Sequence, residues 1–175
     1  MVIGILHMGK MGSSLAAELK KKGHTVITST VNRSEETKRR ARELLIADLP
    51  SEEDVFHMAD MVISICSGGG YMAIAQKAKD VWFQGFFVEA NSMPQHDADT
   101  IRQLLINVCS YVDAGIYGYP IPEPEGFTTE RTIYAQGFGS RVLRSLLEGT
   151  AFNVEVTMEP GKVVKEERHQ RESAG

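Results

Sequence analysis

Two short stretches of this sequence have residue types and spacing suited to chemistry. His7-Met8-Gly9-Lys10-Met11-Gly12 follows an apolar run, Val2 to Leu6. Gly9 lets the backbone come close to an anion, and Gly12 lets a following helix pack tightly on the preceding strand. The helix start adds free N–H groups and a partial positive charge, so the stretch suits a pyrophosphate. The second stretch is Asn32-Arg33-Ser34, and no Asp or Glu occurs between Leu19 and Ser34. A carboxylate there would bond the bare ribose hydroxyls of NAD. A guanidinium and a hydroxyl at a helix start suit a 2′-phosphate dianion instead. Together the stretches point to NADP (NADPH), with NAD the weaker candidate.

Each signal has a structural alternative. The pattern G-x-G-x-x-G has His7 at its first glycine position, and a glycine-rich turn can simply join a strand to a helix. His7 itself can fill the turn and hydrogen-bond locally rather than act on a ligand. Arg33 can lie on a solvated loop. Gly4 to Lys10 also fits G-x-x-x-x-G-K, but Met11 follows where a phosphate-binding NTPase loop needs Ser or Thr for magnesium. Gly4 would moreover lie inside a strand, so that reading is rejected.

These stretches need a scaffold. Val2 to Leu6 reads as a buried strand and Ser13 to Lys22 as an amphipathic helix with lysines at its C-terminal end. His24 to Val31 reads as a strand, and Ser34 caps a helix over Glu35 to Ile46. Further strands are expected at Asp60 to Cys66, Phe86 to Glu89, Tyr111 to Ile116, Thr132 to Gln136 and Phe152 to Val156. Helices are expected at Tyr71 to Lys79, Asp97 to Cys109 and Arg141 to Glu148, with a loop over Tyr119 to Thr129. This alternation implies an α/β fold of the Rossmann type, a doubly wound and mainly parallel sheet in a single domain. The expected domain spans residues 1–157, and 158–175 is a charged tail or the start of a linker helix.

Composition sets limits. The 175 residues carry 42% hydrophobic residues, enough for one packed core. The formal net charge of -4 argues against a nucleic-acid partner. No apolar run reaches membrane-span length, and no signal peptide is read at the N-terminus. Cys66 and Cys109 lie far apart, with no metal-ligand spacing around them. The expectation is a cytoplasmic protein with reduced thiols, no metal, no membrane and a small-molecule substrate.

The glycine stretch with Met11, followed by Asn32-Arg33-Ser34, resembles the 6-phosphogluconate dehydrogenase and β-hydroxyacid dehydrogenase superfamily. Val112-Asp113-Ala114-Gly115-Ile116-Tyr117-Gly118 is similar to that family's substrate segment, V-D-A-P-V-S-G-G. A subgroup described as 6-phosphogluconate dehydrogenase-like, NAD-binding, with His at the first glycine and V-D-G-G-I-x-G-x-P, is closer still. The resemblance covers about residues 1–165. It implies hydride transfer between a nicotinamide cofactor and a small hydroxyacid or related carbonyl compound. It implies His7, Met8, Gly9, Lys10, Met11, Gly12, Asn32, Arg33 and Ser34 around the cofactor, with Cys66, Ser67 and Asn91 on its nicotinamide side. Tyr117 and Gly118 would face the substrate.

Within Gly161-Lys162-Val163-Val164-Lys165 the resemblance implies Lys165 as the catalytic lysine. Departures are present as well. His169 stands where the family has Asn, and Tyr117 where it has Ser. The family's all-helical second domain would begin where the sequence ends, at Gly175. A dehydrogenase would then need a homo-oligomer or a separate partner domain to close its site. The alternative is a non-catalytic dinucleotide-binding module: a sensor, a remnant or an excised domain. An adenosyl-cofactor enzyme such as a methyltransferase is disfavoured by Arg33 and by the missing acidic residue.

Overall fold

Runs such as Val2 to Leu6 stay apolar throughout because their strands are covered on both faces. The computed structural model describes residues 1–66, 69–123, 125–126 and 130–158. Its elements are β1 (Val2–Leu6), α1 (Lys10–Lys21), β2 (Thr25–Thr28), α2 (Glu35–Glu43), β3 (Ala47–Asp48), α3 (Glu52–Met58) and β4 (Met61–Ser64). Then follow α4 (Tyr71–Asp80), β5 (Phe86–Glu89), α5 (Gln95–Leu105), β6 (Ser110–Tyr117), β7 (Arg131–Gln136), α6 (Ser140–Leu147) and β8 (Phe152–Val156).

All eight strands form one sheet in the order β3-β2-β1-β4-β5-β6-β7-β8. Neighbours pair in parallel except β6 and β7, where the described residues between the two strands form no crossover helix and the chain turns back. Successive strand residues feed two separate cores. Ile3, Ile5, Met61, Ile63, Val88 and Val112 meet α1, α2 and α6 through Leu15, Leu19, Ala41 and Leu143. Leu6, Val62 and Phe87 meet α3, α4 and α5 through Val55, Phe56, Ile74 and Ile101. This is the expected doubly wound α/β domain.

Besides small shifts of element bounds, two details near the site differ from the sequence reading. β3 and α3 were not expected, because β3 is two exposed residues and α3 is a seven-residue helix with little apolar periodicity. The signal that marks α3 is its cap: Ser51 Oγ accepts from the Asp54 N–H at 3.0 Å, and Glu52, Glu53 and Asp54 fill the first turn. Second, α1 begins at Lys10 rather than Ser13, since the Gly9 carbonyl already accepts from Ser13 N at 2.9 Å. Lys10, Met11 and Gly12 are therefore first-turn residues and not loop. The single antiparallel pair, β6 with β7, agrees with the mainly parallel sheet expected. No helix among the described residues is long and apolar enough to cross a membrane.

Candidate cofactor site

Beyond β1 the chain crosses to β2 on one side, and beyond β4 it crosses to β5 on the other. Where two neighbouring parallel strands send their connections in opposite directions, a crevice opens at their carboxyl ends. The turn after Leu6 and the loop after Ser64 flank it here.

The glycine turn is built with two different glycines. A Cβ on Gly12 would stand 2.1 Å from the His7 carbonyl oxygen, so the helix can approach the turn only with glycine there. A Cβ on Gly9 would meet nothing within 4 Å, and Gly9 sits at φ -67°, which any residue can adopt. Neither packing nor backbone conformation demands glycine at position 9. Gly9 is also the N-cap of α1, and no side chain caps the helix. The first N–H groups of α1 thus lack a capping side chain beside a space that a Cβ would occupy. Met8 turns its side chain into the core and Lys10 is exposed, so the inner side of the turn is formed by backbone.

The His7 carbonyl accepts from Gly9 N at 2.9 Å within the turn, but the His7 ring does not bond locally. Its Nε2 lies 2.8 Å from Glu52 Oε1, at the start of α3. A carboxylate can only accept, so Nε2 carries the proton. The same Oε1 accepts from Arg33 Nη2 at 3.0 Å, and Lys77 Nζ of α4 lies 3.4 Å from Glu52 Oε2. The hydrogen bond from His7 leads in holding the Glu52 carboxyl down to about 2; Arg33 and Lys77 add to it, against a cost of burial. Arg33 reaches this position because Asn32 adopts φ 60°, a left-handed conformation that Asn tolerates, and bends the chain after β2. Ser34 caps α2 as expected, its Oγ accepting from Thr37 N at 3.3 Å.

The sequence reading saw no carboxylate near Arg33. The fold brings Glu52 to it and sets Asp48 of β3 against Thr30, whose N–H donates to Asp48 Oδ1 at 2.8 Å. Thr30, Val31, Asn32, Lys38, Asp48, Leu49 and Pro50 line a cavity of about 400 Å³ beside this end of the sheet. Two larger concavities, about 650 and 580 Å³, lie on other faces and contain none of the expected cofactor residues except Lys10.

The other side of the crevice is held differently. Ser64 and Glu89 end β4 and β5, in register with Asp113 midway along β6. Glu89 is fully buried. Asn91 ties the group together. Its Nδ2 donates to Glu89 Oε1, to Ser64 Oγ at 3.1 Å and to the Ser64 carbonyl at 3.2 Å, while its Oδ1 accepts from Cys66 N at 2.5 Å. Burial pushes Glu89 up to about 8, outweighing its hydrogen bonds from Asn91 and Ser64, and the nearby Asp113 adds to the rise. Burial likewise raises the Cys66 thiol to about 11, so at neutral pH it is no thiolate nucleophile.

The structure thus joins Cys66 to Asn91 and His7 to Arg33 through Glu52. Tyr117, half-buried, ends β6 opposite Thr132. No described hydrogen bond links it to either group. Gly118, with φ +109° and a virtual Cβ 3.0 Å from the Glu130 carbonyl, is required by the fold itself. Ser67 and Lys165 lie outside the described residues. Among the described residues no group of three or more His, Cys, Asp or Glu side chains could hold a metal. Sequence reasoning missed Glu52 and Glu89. Only the Ser51 cap hinted at the first, and nothing local hinted at the second.

The family described as the NAD binding domain of 6-phosphogluconate dehydrogenase matches residues 2–119. No curated protein matches the chain in sequence. Among solved structures, one is a conserved protein of unknown function described by its structural similarity with 3-hydroxyacid dehydrogenases. It is 26% identical with a TM-score of 0.79, over 97% of this chain and 63% of its own. A 3-hydroxyisobutyrate dehydrogenase of Mycobacterium tuberculosis, solved with L-serine, is 19% identical with a TM-score of 0.79, covering 99% and 60%. A reductive aminase from Aspergillus terreus, in complex with NADPH4, cyclohexanone and allyl amine, is 15% identical with a TM-score of 0.78, covering 98% and 60%. The chain spans about six tenths of the length of these proteins.

Proposed function

From its membership of the 6-phosphogluconate dehydrogenase NAD-binding family, to which the chain belongs over residues 2–119, we propose that it is the NADP-binding domain of an oxidoreductase. Its substrate is a small hydroxyacid or a related carbonyl compound. Gly9 carries this reading: a glycine that neither packing nor conformation requires, heading an uncapped helix at the sheet's switch point, is explained by a ligand phosphate.

The N–H groups of Met8 to Gly12 hold the pyrophosphate. Arg33 meets the 2′-phosphate with its planar fork of donors, and Asn32 and Ser34 shape the turn that carries it. Cys66, Ser67 and Asn91 border the nicotinamide side, where Asn91 fixes the Cys66 backbone. When bound, the nicotinamide supplies hydride exchange with a hydroxyl-bearing carbon. By the family resemblance, Tyr117 and Gly118 face the substrate and Lys165 exchanges the hydroxyl proton.

A second reading is a dinucleotide-binding module without dehydrogenase activity. The neutral Cys66 thiol and the fully buried Glu89 favour it, since neither is placed to exchange a proton with a substrate. Calorimetric titration of the chain with NADP, NADPH, NAD and S-adenosylmethionine tests the cofactor assignment. NADP and NADPH are expected to bind most tightly, and binding of S-adenosylmethionine alone would replace it. Turnover of NADP with simple 3-hydroxyacids separates the two readings.

A further inference from the structure

Arg33 is the residue proposed to read the 2′-phosphate, yet its guanidinium is already committed. Nη2 donates to Glu52 Oε1 at 3.0 Å, while Arg33 Nε is buried with no partner. Its seat against Glu52 therefore satisfies the arginine only in part. Glu52 depends on Arg33 far less. His7 Nε2 stays 2.8 Å from its Oε1, and Lys77 Nζ lies 3.4 Å from its Oε2. If Arg33 swings away, the carboxylate keeps two partners and remains on its seat at the head of α3. The pair is lopsided, with an arginine that is satisfied only in part and a glutamate that keeps two partners without it.

We propose that Glu52 is a specificity-setting counter-charge that parks Arg33, so that a 2′-phosphate must draw the guanidinium off a carboxylate before it binds. The inference rests on the cofactor reading above. NAD, with no phosphate at that ribose, leaves the parked pair undisturbed. NADP gains the contact with Arg33 less the contact with Glu52, so the protein discriminates less sharply than Arg33 alone would allow. Because His7 lies in the pyrophosphate turn and shares Oε1 with Arg33, Glu52 also fixes the distance between the turn and the arginine.

The test is a set of dissociation constants for NADP and NAD with the full chain, Glu52→Gln, Arg33→Ala and the double variant. Glu53→Gln serves as a control, because Glu53 pairs with Lys77 at 2.6 Å and touches neither His7 nor Arg33 in the described contacts. Glu52→Gln keeps an acceptor for His7 but removes the charge. It is expected to tighten NADP about tenfold and to move NAD less than about twofold, a ratio change that a loss of packing would not produce. In the Arg33→Ala background the same substitution is expected to leave the ratio unmoved. Weaker NADP binding in Glu52→Gln, an equal change for both cofactors, or a tenfold shift that persists without Arg33 would overturn the proposal. If Glu52→Gln does not fold, the Arg33 side-chain Nε–H resonance of the unaltered chain decides. It is expected to move on adding NADP and to stay on adding NAD, and an unmoved signal with bound NADP overturns the proposal. An unaltered chain that binds neither dinucleotide defeats the cofactor reading and this inference with it. A chain that prefers NADP with an unmoved ratio in Glu52→Gln defeats this inference alone.

Discussion

The two flanks of the crevice each hold one glutamate, Glu52 half-buried and Glu89 buried, and the two are kept in opposite charge states. Glu52, at the start of α3, lies among His7, Arg33 and Lys77 and is held down to about 2. Glu89, at the end of β5, lies among Asn91, Ser64 and Asp113 and is pushed up to about 8. Residue type does not set the charge; burial and the neighbouring groups do. Cationic donors keep Glu52 ionised, whereas burial, with Asp113 adding and the Asn91 and Ser64 hydrogen bonds only partly offsetting it, keeps Glu89 neutral. The first flank is thereby charged and exchangeable, suited to meeting a phosphate. The second is neutral and cross-linked, suited to holding the β4 and β5 loops in place.

The largest effect expected from breaking this contrast is at Asn91. Asn91→Leu strips partners from Cys66 N, Ser64 and Glu89 at once and should cost about 2–4 kcal/mol of stability. Chemical denaturation measures it, and a cost under about 0.5 kcal/mol would mean the neutral flank is not cross-linked through Asn91. Next is charge removal on the other flank. Glu52→Gln should lose about 2 kcal/mol at neutral pH, while Glu89→Gln should lose less, because Glu89 is already uncharged there. Equal losses would erase the distinction.

The pH dependence sharpens it further. Glu52 is depressed below 4.5, so its stabilisation is complete above that value and is lost as pH falls through about 2. Glu89 is raised, so its contribution is complete below 4.5 and is lost as pH rises through about 8. Asp113, raised chiefly by burial, slopes the same way as Glu89. Unfolding free energies across pH should show the alkaline-side decline flattened in Glu89→Gln and the acid-side decline flattened in Glu52→Gln. The smallest expected effect is chemical: the Cys66 thiol, raised to about 11, should alkylate more slowly at neutral pH than a free cysteine.

Much of this scaffold is legible in the sequence, for physical reasons. β1, β5 and β8 match the expected Val2–Leu6, Phe86–Glu89 and Phe152–Val156 residue for residue, because unbroken or alternating apolar runs bounded by turn residues leave little choice. The Ser34 cap and the glycine turn were legible because their signals are local. β3 and α3 were not, since two exposed residues and seven mostly polar ones carry almost no hydrophobic pattern. That gap hid Glu52. Its meeting with His7 joins residues 45 positions apart, and with Arg33 residues 19 apart, through a sheet order no single stretch encodes. The same holds for Glu89, whose neutrality comes chiefly from burial inside the assembled sheet, with Asp113 of β6 adding to it.

The central claim is that the crevice between these flanks binds NADP, with backbone at Gly9 and the guanidinium of Arg33 as its two anion contacts. A pair of calorimetric titrations, NADP and NAD, on the unaltered chain and on Arg33→Ala tests it most directly. The account predicts NADP binding about tenfold tighter than NAD in the unaltered chain, from a charge-assisted contact partly offset by Glu52. Arg33→Ala should remove that difference by weakening NADP and leaving NAD nearly unchanged. Equal affinities in the unaltered chain, or an equal loss for both cofactors in Arg33→Ala, would contradict it.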